Sequence, residues 1–141
     1  MTELDMYLDF LIAIMKADSI IEPEELDFLL ECGRSLNLSA ADLTALKDRA
    51  INTKIDINSL CLSITKTSNP TFTMNLIKDA YSIAKSDGSI DEEELSIIKQ
   101  LVKTLGVYDD NTFEEVIDWC EEALYIKSEG SNLYLKIKDE L

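Results

Sequence analysis

The chain reads as all-α, and three observations predict it. Apolar residues recur at helical intervals, only 4 Gly and 2 Pro interrupt 141 residues, and one acidic helix-loop-helix pattern occurs twice. At this length a single domain can bury a full core, and a 46% hydrophobic content is enough to fill one. Leu4, Tyr7, Leu8, Leu11 and Ile14 follow i, i+3, i+4, i+7 and i+10 spacing, which puts them on one stripe of a first helix ending near Ala17. Leu26, Leu29, Leu30, Gly33 and Leu36 line a second helix, opened by Pro23 at its first position.

Ser39, followed three residues later by Asp42, is a capping signal that opens a third helix reaching about Ala50. Ile57 to Ile64 is short and ambiguous in period. Ser68, Asn69 and Pro70 form a turn, and Pro70 starts a helix through Phe72, Leu76, Ile77, Ala80, Tyr81 and Ala84. Leu95, Ile98, Leu101, Val102 and Leu105 line the next helix. Asn111 with Glu114 reads as a capping box for a helix carrying Phe113, Val116, Ile117, Cys120 and Leu124. The tail, residues 128–141, starts rich in Ser, Gly and Asn and then alternates Leu133, Leu135 and Ile137 with polar residues; helix, strand and frayed end all fit it.

The repeat carries the most information. At an offset of 69 residues, the separation of Asp18 from Asp87, the residues Ile14, Lys16, Asp18, Ile21, Glu22, Glu24, Glu25, Leu26 and Leu36 fall without a gap on Ile83, Lys85, Asp87, Ile90, Asp91, Glu93, Glu94, Leu95 and Leu105. One such hairpin cannot bury its own apolar stripe. Two pseudo-repeats, at about 4–50 and 70–125, are therefore expected to pack about a pseudo-twofold axis and make residues 1–141 one domain.

Charge and composition exclude several functions. A net charge of −15 repels phosphates and anionic headgroups, so direct binding to nucleic acid or to a membrane surface is not expected. There is no His, which removes Ser-His-Asp and Cys-His catalysis and the common zinc ligand sets. Cys32, Cys61 and Cys120 are odd in number and widely spaced, and read as buried thiols in a reducing cytoplasm. Asp9 interrupts the most apolar run and Glu3 and Asp5 precede it, so neither a signal peptide nor a membrane span is expected.

The two acidic turns admit two readings. In the first, Glu22 and Asp91 are N-caps, Glu25 and Glu94 close capping boxes, and Ile21 and Ile90 staple onto Leu26 and Leu95. The added carboxylates Glu24, Glu92 and Glu93 complement the helix dipole. That account omits Asp18 and Asp87, which close the preceding helices, where a negative charge opposes the dipole by roughly 0.3–1 kcal/mol. In the second reading Asp18, Glu22 and Glu25, and likewise Asp87, Asp91 and Glu94, converge on a hard divalent cation such as Ca²⁺ or Mg²⁺. Lys16 or Lys85 could instead supply the positive charge. Gly88 turns easily after a helix where Ser19 does not, so the second turn is the better candidate. An EF-hand does not fit. Asp87, Gly88, Ile90, Asp91 and Glu94 match five places of its loop, but Ile83 and Lys85 occupy its first and third ligand places.

The run Ala84, Lys85, Ser86, Asp87, Gly88, Ser89, Ile90, Asp91, Glu92, Glu93, Glu94, followed a helix later by Leu105, Gly106 and Val107, resembles the TerB-like domains. That family takes its name from bacterial tellurite-resistance proteins and is related to the N-terminal domain of a membrane-anchored DnaJ-type co-chaperone. Residues Ala17 to Leu38 match more loosely, with Ser19 for Gly and Glu22 for Asp, and the resemblance covers about residues 4–125. It implies a domain of about seven helices, no catalysis, acidic clusters that engage divalent metal, and a place in bacterial stress-response complexes, some at the inner membrane.

An enzyme using Asp87 and Asp91 as acid and base would need a raised pKa in a cleft, whereas crowded surface carboxylates stay ionised; no enzyme activity is expected. The alternative to a metal-binding module is an acidic helical adaptor. Glu114, Glu115, Asp118, Glu121 and Glu122 surround Trp119, which lies off the main stripe as an anchor for a protein partner or as the rim of a core face, and the acidic face could imitate DNA phosphates.

Overall fold

The computed structural model describes all residues except Met1, Asp18, Ser19, Ile20, Thr53, Ser68, Asp87 and Leu141, together with the side chain of Glu140. The described residues hold seven helices and no strand: α1 (Glu3–Met15), α2 (Pro23–Ser35), α3 (Ala40–Asn52), α4 (Ile57–Thr65), α5 (Pro70–Ala84), α6 (Glu92–Thr104) and α7 (Asp110–Glu140). The chain divides into two units, Met1–Val107 with α1 to α6 and Tyr108–Leu141 with α7.

Local chemistry starts most helices where the sequence places them. The Asp42 N–H donates to Ser39 Oγ at 3.1 Å at the head of α3, and the Phe72 N–H donates to Asn69 Oδ1 at 3.2 Å ahead of Pro70. The ambiguous segment is helical because the Ser59 N–H donates to Asp56 Oδ1 at 3.3 Å, one residue before its first turn. Asp109, rather than Asn111, opens α7: the Asn111 N–H donates to Asp109 Oδ1 at 3.2 Å and Thr112 Oγ1 donates to its Oδ2 at 3.0 Å. The expected box at Asn111 and Glu114 is therefore displaced, because the Asp side chain two residues earlier reaches these donors. The open question of the tail is settled as helix, since α7 continues through it to Glu140.

In the first unit α1 is the central element. It packs on α5 along its length and also touches α2, α4 and α6. Phe10, Leu11, Ile12, Ile14 and Met15 are all essentially inaccessible, so α1 is buried on every side in its second half, not along one stripe. Leu4, at its exposed first turn, is 40% accessible and lies outside the core.

The two halves of this unit match in burial and in how their helices end. Ile14 and Ile83 are both inaccessible, Leu29 and Ile98 likewise, while Leu36 and Leu105 are both exposed. α1 packs on α2 as α5 packs on α6, and α1 meets α6 as α2 meets α5. α2 ends with the Leu38 N–H donating to Gly33 O at 3.1 Å, and α6 with the Val107 N–H donating to Val102 O at 3.2 Å. Both turns need a left-handed residue, supplied by Asn37 at φ 62° and Gly106 at φ 107°. Gly33 serves a different purpose. A Cβ there would lie 2.8 Å from Leu43 Cδ2 and 3.3 Å from Leu46 Cδ2, so its missing side chain lets α3 approach α2.

Candidate functional site

The N-termini of α2 and α6 present their carboxylates in the same way. The Glu22 N–H donates to Glu25 Oε1 at 3.1 Å, and the Asp91 N–H donates to Glu94 Oε1 at 3.2 Å. Each of these glutamates is only 4% exposed. A carboxylate held there is tolerated because it faces backbone donors at the positive end of a helix. Glu22 is half-buried, whereas Asp91, Glu92 and Glu93 are exposed. Capping thus occupies one oxygen of Glu25 and one of Glu94, while the carboxylates of Asp91, Glu92 and Glu93 reach solvent.

Of the six residues the sequence nominates for a cation, Glu22, Glu25, Asp91 and Glu94 are placed at these two helix starts. Asp18 and Asp87 lie outside the described residues. Among the described residues no group of three acidic or cysteine side chains is set to hold a metal ion. Gly88 has φ +98°, its N–H donates to Lys85 O at 2.9 Å, and a Cβ there would meet nothing within 4 Å. The glycine is therefore a conformational requirement of this turn, not a packing one. Lys85 Nζ lies 5.7 Å from the centre of the Tyr81 ring, a cation–π distance.

Three features escape a reading of the sequence. A cleft of about 470 Å³ lies beside the first acidic turn, lined by Lys16, Ile21, Lys54, Ile55 and Ile97 among others. A second, of about 480 Å³, lies between α1, α2 and α5. In its wall Tyr7 Oη donates to Asp79 Oδ2 at 2.5 Å, and Lys78 Nζ stands 3.9 Å from Asp79 Oδ1. Burial pushes the Tyr7 phenol well above its usual range, and the adjoining Asp79 carboxylate adds to the shift. Third, the 8% exposed Asp9, which interrupts the apolar run of α1, is ion-paired with Arg49 of α3. A lone carboxylate in such a run signals that a cation must come from elsewhere, but not which one.

All three cysteines are free thiols; Cys61 and Cys120 are buried, and the expectation that all are buried fails at Cys32, which lies only half-buried on α2. Burial pushes the Cys61 thiol up to about 11, which keeps it protonated and unreactive at neutral pH. Trp119 is 39% exposed on α7, with Glu114, Glu115, Asp118 and Glu122 exposed around it. Among the described residues no helix is long and apolar enough to cross a membrane.

Comparison with known proteins returns one family. The model described as tellurite resistance protein TerB matches residues 10–116, from the middle of α1 into the first turns of α7, and takes in both acidic turns. No curated protein and no solved structure matches the chain.

Proposed function

Because the chain belongs to the TerB family, we propose that it is a non-enzymatic, tellurite-resistance-type stress-response module of the cytoplasm, whose acidic turns weakly bind a divalent cation and whose helical surface binds a protein partner. The observation that carries this reading is the duplication of one arrangement at the starts of α2 and α6. A buried glutamate is tied to the N-cap N–H at each, and further carboxylates gather beside it. Capping needs one good acceptor per helix, yet the second turn brings five acidic residues, Asp87, Asp91, Glu92, Glu93 and Glu94, within eight positions.

The donors are hard oxygens, the chemistry that suits Ca²⁺ or Mg²⁺. Asp91 and Glu94, with Asp87, are the ligands of choice; Asp18, Glu22 and Glu25 form the weaker counterpart. The positive end of the α6 dipole opposes a cation, which limits the affinity to about 10⁻⁴–10⁻³ M, as at weak calcium modules. A bound ion would cross-link the end of α5 to the start of α6 and steady the surface offered to a partner, including one in a membrane-associated complex.

Calorimetric titration with Ca²⁺, Mg²⁺ and Mn²⁺ tests the cation. Asp87→Asn with Asp91→Asn removes two charges while Asn keeps the N-cap. Heat in the wild type that the double variant lacks is the expected result; no heat at millimolar ion leaves capping as the whole role of these residues.

The acidic adaptor stands as a second reading on a separate observation, the exposed carboxylates around Trp119. Capture of a partner that is unaffected by metal and by the Asp87 and Asp91 changes, but lost in Trp119→Ala, favours it.

A further inference from the structure

The cleft beside the first acidic turn is built from aliphatic side chains and lysines. Ile21 ahead of α2, Ile51 near the end of α3, Ile55 and Ile57 around the start of α4, and Ile97 on α6 line its walls, together with two alanines from the end of α1. Ile51 is 50% exposed and the other isoleucines are half-buried, so this apolar lining is open to solvent. Among the described residues, the charged side chains on the lining are Lys16 and Lys54, and no carboxylate joins them. In a chain with 28 acidic residues against 13 basic ones, a lining charged by lysine alone departs from the rest of the surface.

We propose that this cleft binds a medium-chain fatty carboxylate, with its alkyl tail against the isoleucines and its carboxylate at Lys16 and Lys54. The tail gains by leaving water for an aliphatic wall, and the head accepts charge-assisted hydrogen bonds from ammonium groups. The lining holds no aromatic ring on which a base or a flavin could stack, and no carboxylate to receive an amine or a sugar hydroxyl. Its volume of about 470 Å³ falls in the range of small-ligand pockets. Two turns of a partner helix, about 11 Å long and 10 Å across, displace roughly 850 Å³ and do not fit.

Charge selects a single carboxylate over an anionic bilayer. A bilayer would lay a sheet of negative charge against the acidic exterior of a chain of net charge −15, whereas one carboxylate entering the cleft meets two lysines at its wall. Charges farther off than about 8 Å are screened at physiological ionic strength. The neighbouring Asp56 is already committed to the start of α4, where it accepts from the Ser59 N–H at 3.3 Å and from Ser59 Oγ at 3.0 Å. The second repeat does not offer the same pair of lysines. Lys85, the counterpart of Lys16, lies over the Tyr81 ring, while Tyr81 itself falls on the fully buried Ile12 and Lys54 falls on Ala123. The inference is independent of metal binding and of tellurite.

Calorimetric titration of the full chain with sodium decanoate, kept below its micelle concentration, tests it. The expected result is a single saturable site with a dissociation constant on the order of 10⁻⁴ M, which a ligand of this size reaches with an ordinary energy per atom. Acetate, the head without the tail, and decyltrimethylammonium, the tail with a cationic head, each bind at least about tenfold more weakly. Lys54→Glu, at an exposed position between α3 and α4, weakens decanoate binding by at least about tenfold with the helical circular dichroism unchanged. Ile51→Ser, at a half-exposed position, weakens it as well. No heat with decanoate overturns the proposal, as does binding indifferent to both Lys54→Glu and Ile51→Ser. Decyltrimethylammonium bound as tightly as decanoate overturns the assignment of an anionic head. Binding to phosphatidylglycerol vesicles that Lys54→Glu abolishes, with no binding of free decanoate, assigns the cleft to a bilayer instead.

Discussion

Tyr7 of α1 donates its phenolic hydrogen to the carboxylate of Asp79 on α5 at 2.5 Å, and so joins the two central helices of the first unit by a polar bond at the edge of their apolar contact. Because Asp79 is charged, this bond is stronger than a neutral one. Tyr7→Phe is expected to lower stability by about 1.5–3 kcal/mol in urea unfolding, with Lys78 left to compensate Asp79 in part.

The same phenol sets an alkaline limit. Its pKa is raised on folding, so its contribution is complete below its ordinary value of 10.0 and is lost as pH rises above that. Cys61, raised from 9.0 to about 11, acts in the same direction. Thermal unfolding between pH 8 and 11 should therefore show a steeper decline above about pH 9–10 in the wild type than in Tyr7→Phe. Equal slopes would remove Tyr7 as a cause.

Removing Arg49 strands Asp9 among the apolar side chains of α1. Arg49 is itself about one-third exposed, so the loss on Arg49→Met is expected near 2 kcal/mol rather than the 3–5 of a fully buried pair. Pairing it with Asp9→Leu should recover most of that loss, since the charge needing a partner has gone. Chemical denaturation of the single and double variants decides this.

The left-handed turns after α2 and α6 predict opposite outcomes for exchanged residues. Asn37→Gly should stabilise the chain by a few tenths of a kcal/mol up to about 1. Gly106→Ala, at φ 107°, should destabilise it by about 1–2 kcal/mol. Calorimetric melting temperatures should move up in the first and down in the second.

At Gly33 the approach of α3 leaves no room for a branched side chain. Gly33→Val places carbon within 2.8 Å of Leu43 Cδ2 and also against Leu46 and Leu38. A loss of about 1–3 kcal/mol in urea unfolding is expected, larger than for the same change at Gly130, where a Cβ meets open space.

How much of this was legible in the chain differs by element. The starts of α3 and α5 are written in Ser39 with Asp42 and in Asn69 with Pro70, because capping involves neighbours three residues apart. The all-helical class follows from spacing of the same local kind, whereas the count of about seven helices was implied by the family resemblance, since the period of residues 57–64 and of 128–141 left their structure open. The start of α7 was misplaced by two residues because Asp109 and Asn111 are both good caps and only geometry chooses between them. The stripe assigned to α1 was too narrow: period identifies a helix, but cannot tell one lined on a single face from one enclosed all round.

Sequence alone determined the helical class, the duplicated acidic turns, the absence of imidazole chemistry and the likeness to TerB, since each depends on composition or on residues a few positions apart. Tertiary structure decided that Arg49 answers Asp9, that Tyr7 meets Asp79, and that Glu25 and Glu94 turn inward while Asp91 faces water. Those outcomes depend on which helices come together. The free energy that brings them together is spread over the whole apolar core, so no short run of residues records it.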